Sequence, residues 1–80
     1  MAVGNSSEVA KTLIEIATTF EDADETVKEY LGSTSPSYSE KLKFLENLFG
    51  NECSVNRHVG DSDELIYNVM LNGVINKKWN

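Results

Sequence analysis

The chain holds a single cysteine, Cys53, among its 80 residues. One thiol cannot close an internal disulfide. That excludes the small disulfide-stapled scaffolds and fits a reducing, cytoplasmic setting. Proline occurs once, at Pro36, and tryptophan once, at Trp79. No apolar run approaches the roughly 20 residues of a membrane span. The N-terminal residues lack a basic region followed by an apolar core, so no secretory signal is read there. His58 is the only histidine, and with Cys53 it cannot make up the four Cys or His ligands of a structural zinc site.

Basic residues are also scarce. Seven Lys and Arg stand against thirteen Asp and Glu, a net charge of −6. The deficit is uneven. Residues 1–35 contain Glu8, Glu15, Glu21, Asp22, Asp24, Glu25 and Glu29 against Lys11 and Lys28. An acidic half repels phosphate backbones, which disfavours nucleic acid as a partner. The five bases of the second half are matched by six acids, so Arg57, His58, Lys77 and Lys78 make a weak nucleic-acid patch at best.

What remains is ordinary globular composition, 40% hydrophobic and 25% charged, in a chain the size of one domain, 1–80. Its clearest pattern is a seam of Val9, Leu13, Ile16, Phe20, Ala23, Val27 and Tyr30. Residues three and four apart share one face of an α-helix, so the spacing predicts one long helix over about 7–31 with Leu13, Ile16 and Phe20 in the core. A corner near Asp22, where Asp22 and Glu25 form a second capping box, is the alternative. Gly32 stops the helix, because glycine enters the left-handed conformation at no steric cost.

Ser33-Thr34-Ser35-Pro36-Ser37 reads as a connector. A second helix, over about 36–49, follows from Tyr38, Leu42, Leu45 and Phe49, capped by Ser35 before Pro36 or by Ser37 before Glu40. Gly50-Asn51 ends it. Two such helices joined by a short loop pack as a helical hairpin.

The last thirty residues admit two readings. Val, Ile, Tyr and Trp favour strands, and Asn72-Gly73 between apolar runs is a tight-turn signal. The preferred reading is a small antiparallel β-meander over about 53–79, pairing Leu71 with Val74, Met70 with Ile75 and Ile66 with Trp79. The fold expected is therefore α+β. The alternative is an all-α three-helix domain, with Asp61 as cap and Leu65, Ile66, Val69, Met70 and Val74 as the buried stripe. Asn68, Asn72 and Asn76 then line the opposite side.

Candidate chemistry is sparse. Cys53 and His58 carry no surrounding signature of a thiol protease. Asp22, Asp24 and Glu25, like Asp61, Asp63 and Glu64, lack the spacing of a calcium loop. Asp61-Ser62 invites comparison with the Asp-Ser-Leu motif of acyl carrier proteins, but Asp63 stands where the leucine belongs, and Ser62 reads as a turn or cap. No cofactor or metal site and no enzyme activity are expected. The sequence reads instead as a small acidic protein-binding module: a regulator, inhibitor or immunity-like antagonist. Its expected contact residues are Glu21, Asp22, Asp24, Glu25 and Glu29, facing a basic protein surface. A homodimer through the first helix is the second reading.

Overall fold

Thr19 divides the long seam in two. Its φ of −131° and ψ of 157° are extended backbone, and its side-chain oxygen accepts from the Asp22 backbone N–H at 3.1 Å. That is an N-cap: the threonine satisfies a donor that the first turn of a helix leaves free. In the computed structural model, which describes residues 5–50, 52 and 57–77, the described residues consequently form four helices. They are α1 (Asn5–Ile16), α2 (Phe20–Leu31), α3 (Tyr38–Phe49) and α4 (Asp63–Lys77).

The single helix over 7–31 is therefore corrected to two. The break falls at residues 17–19, before the corner considered near Asp22. No glycine or proline marks it, because a threonine cap suffices. The break also changes which residues are buried. In α1 the core takes Ala10 and Ile14, both fully buried, while Val9, Leu13 and Ile16 face outward. In α2 the expected seam does turn inward through Ala23 and Val27, with Phe20 packed at its edge.

Gly32 ends α2 as expected. Its φ of 72° is left-handed, and its N–H donates to the Lys28 and Glu29 carbonyls. Ser37 opens α3 with a full capping box: its Oγ accepts from the Glu40 N–H at 3.2 Å, and the Glu40 carboxylate accepts from the Ser37 N–H at 2.9 Å. Leu42, Leu45 and Phe49 are buried on the predicted face.

The expected β-meander is overturned. Residues 63–77 are helical, and no strand occurs among the described residues. Residues 53–56 and 78–79, which the meander would have used, lie outside the described residues. The all-α alternative also falls one helix short, because of the break at Thr19. Asn72-Gly73 makes no turn: among the described residues positive φ occurs only at Gly32 and Gly60. The physical reason is long-range burial. As a helix, the segment puts Ile66, Tyr67, Met70, Leu71, Val74 and Ile75 into the core shared with α1, α2 and α3. Six buried apolar side chains, each contributing about 1.5–3 kcal/mol, outweigh the few kcal/mol of helix propensity lost to three asparagines and a glycine. The cap is Ser62, whose Oγ accepts from the Leu65 N–H at 3.1 Å. Asp61 turns back to accept from the His58 N–H at 2.9 Å. Asn72 and Asn76 do lie on the exposed side, but Leu65 and Val69, expected in the stripe, are about half exposed.

Candidate functional site: the acidic helix and its buried anchor

One turn of helix separates Phe20 from Asp24, so both point toward the inside of α2. Asp24 there meets two other helices. Its Oδ1 accepts from the Tyr67 hydroxyl of α4 at 2.6 Å and from Lys41 Nζ of α3 at 3.1 Å. Its Oδ2 lies 3.4 Å from Lys28 Nζ, one turn along its own helix. Lys41 is buried, the one buried charged residue among those described. Its ammonium also sits 4.3 Å above the Tyr38 ring and 4.7 Å above the Tyr67 ring, at cation–π distance. Tyr67 is fully buried and meets Phe20 and Tyr38 edge-on.

The electrostatics follow from this enclosure. Burial acts to raise the Asp24 carboxyl, but the hydrogen bonds from Tyr67 and Lys41, the Lys41 charge and then Lys28 outweigh it and hold the group below its ordinary value. Burial first, and then the hydrogen bond and charge of Asp24, push the Tyr67 phenol far above its ordinary range. Asp24 is therefore ionised and Tyr67 protonated around neutrality. The hydroxyl proton is already donated to the carboxylate, and the ammonium faces the carboxylate and two rings. The cluster is closed on itself and joins α2, α3 and α4.

The five acidic residues expected to form a contact surface thus part company. Asp24 belongs to the interior. Glu21, Asp22, Glu25 and Glu29 are exposed on the outward side of α2. With Phe20 and Lys28, the first three line a shallow depression, and Glu25, Lys28 and Glu29 border a second one that runs to Gly32, Ser33 and Thr34. Lys28 is the only base along this face; its Nζ is 3.9 Å from Glu25.

Lys41, Tyr38 and Tyr67 were not among the expected site residues. The available signal was a lysine on the buried side of α3, three positions after Tyr38, together with an aspartate on the buried side of α2. His58 is exposed and its role is local: its backbone N–H closes the turn onto Asp61. Cys53, Lys78 and Trp79 lie outside the described residues, as does the side chain of Lys77. Arg57 is exposed and pairs with Glu46. No group of three or more His, Cys, Asp or Glu side chains among the described residues could hold a metal ion, and no helix among them is long and apolar enough to cross a membrane. No protein-family model, curated protein or solved structure matches this chain.

Proposed function

We propose that the protein is a small binding module that acts without catalysis, and that the outward face of α2 docks on a basic surface of a partner protein. The observation that carries this reading is the cost of that face. Glu21 and Asp22 sit in the first turn, where the helix dipole favours them. Glu29 sits in the last turn, where the dipole opposes it. Glu21–Glu25 and Glu25–Glu29 are like charges one turn apart, each pair destabilising by a few tenths of a kcal/mol. Helix stability therefore accounts for the acids at the start of α2, and Lys28 offsets Glu25, but neither accounts for Glu29. A basic partner would relieve the repulsion and gain long-range attraction during approach.

The test is a variant with Glu21→Gln, Asp22→Asn, Glu25→Gln and Glu29→Gln, with Asp24 retained because it anchors the bundle. Its circular dichroism should match the wild type. Partners recovered by the wild-type chain from a cell lysate at low salt should be lost, or should associate at least tenfold more slowly. Recovery of the same partners at the wild-type rate would reduce the face to a solubilising surface.

A further inference from the structure

Among the described residues outside the helices, most hydroxyls are engaged. Thr19, Ser37 and Ser62 cap helices. Ser33 Oγ accepts from the Ser35 N–H at 3.3 Å. The hydroxyls of Thr18, Thr34 and Ser35 make no hydrogen bond among the described residues. Thr18 sits in the short break at 17–19, with helix on both sides. Thr34 and Ser35 sit exposed in the longer connector 32–37, between α2 and α3.

Only Ser35 precedes proline. Pro36 bars the α-helical region to Ser35 and favours extended backbone there. Protein kinases bind the acceptor segment extended, so this stretch of chain needs little rearrangement to enter such a cleft. Pro36 also lacks an N–H. A kinase cleft that leaves the N–H after the acceptor unpaired therefore selects proline, since any other residue would bury a donor without a partner.

We propose that Ser35 is a phosphoacceptor for a proline-directed protein kinase that uses ATP. Ser35 Oγ bonds the γ-phosphorus as the bond from that phosphorus to the β,γ-bridging oxygen breaks. ADP leaves, and the hydroxyl proton passes to the kinase's catalytic base. The fold loses no contact, because the hydroxyl has no hydrogen-bond partner among the described residues. The phosphate carries about −1.5 to −2 charge at pH 7. Its neighbours Ser33 and Thr34 line the same depression as Glu25 and Glu29. It thus extends the acidic face of α2 into the connector and strengthens attraction to a basic surface. That regulatory sense rests on the docking reading above; the acceptor site does not.

The test incubates the full chain with a purified proline-directed kinase, magnesium and ATP, and locates phosphate by mass spectrometry. One phosphate should appear, on Ser35. Ser35→Ala should abolish it, and Pro36→Ala should slow it about tenfold, the factor of one unpaired donor. The folded chain should react at a rate comparable to that of an unstructured peptide carrying residues 29–40. Phosphate on Thr34 instead, equal rates in wild type and Pro36→Ala, or a folded chain left unmodified while the peptide reacts would each overturn the proposal. The phosphorylated chain should also bind a decalysine peptide several-fold more tightly than the unmodified chain at low salt, with unchanged circular dichroism. Equal affinity overturns the extension of the α2 face. Failure of the docking reading itself is read separately, from the quadruple α2 variant without phosphate.

Discussion

Lys41 of α3 and Tyr67 of α4 share one oxygen of Asp24 on α2, at 3.1 and 2.6 Å. Three helices are thus tied by hydrogen bonds at a point where hydrophobic contact alone would not specify a register. The two ties are not equal. Lys41 is almost wholly buried, so without Asp24 its charge has no carboxylate partner and little water.

Removing one member of this cluster should therefore cost more than replacing two. Asp24→Asn leaves the buried ammonium uncompensated and should lower stability by about 3–5 kcal/mol. Asp24→Leu combined with Lys41→Met replaces charge by apolar volume and should cost clearly less. Tyr67→Phe removes a single hydrogen bond to a charged acceptor, about 1.5–3 kcal/mol. Urea midpoints of the four proteins test the order. Equal losses in Asp24→Asn and the double variant would mean that Lys41 reaches water.

The same cluster sets the pH dependence. The folded-state pKa of Asp24 lies below its ordinary value, so its contribution to stability is present above the unfolded carboxyl pKa, near 3.9, and is lost as pH falls through the folded value. Tyr67 is shifted upward, so its contribution is complete below the unfolded phenol pKa, about 10, and declines as pH rises beyond it. Stability measured against pH should fall on both limbs. Tyr67→Phe should flatten the alkaline limb, and Asp24→Asn should flatten the acid one.

Burial in α1 gives a sharper contrast. Ile14→Ala should cost about 2–5 kcal/mol, because the side chain is fully enclosed. Ile16→Ala, two residues away, should stay within about 0.5 kcal/mol in the monomer. Comparable losses at both positions, measured at micromolar concentration, would place Ile16 in the core.

Much of this fold can be read from the residues, and the failures have identifiable causes. The Ser37/Glu40 box, the Gly32 stop and the inward face of α3 are local features, decided by neighbours in sequence. The break at Thr19 is not, because threonine both caps helices and tolerates their interior. Ala10 and Ile14 are buried because α1 folds back on the bundle, which no spacing within α1 reveals. In α4 the β-branched and aromatic residues argue locally for strands. The opposing term is burial of Tyr67 and Leu71 against distant helices, invisible to a short window. The acidic candidates separate for the same reason: Asp24 faces Tyr67 and Lys41 on distant helices, and Glu25 beside it faces outward.

Local backbone conformation predicts opposite outcomes at Asn72, inside α4, and Gly32, at the end of α2. Asn72 is exposed in the middle of α4, and its side chain makes only a local bond to the Asn68 carbonyl at 2.9 Å. Asparagine is a poorer helix former than alanine, since its amide competes for nearby backbone groups. Asn72→Ala should therefore raise stability by roughly 0.5 kcal/mol. In a hairpin the same change would remove a turn residue and destabilise. Gly32 has open space around the position of a Cβ, so Gly32→Ala meets no steric clash. Its φ of 72° is nevertheless a conformation that alanine adopts only at a cost of about 1 kcal/mol or more. Thermal midpoints should move up for Asn72→Ala and down for Gly32→Ala. A fall at Asn72 would be incompatible with helix at that position.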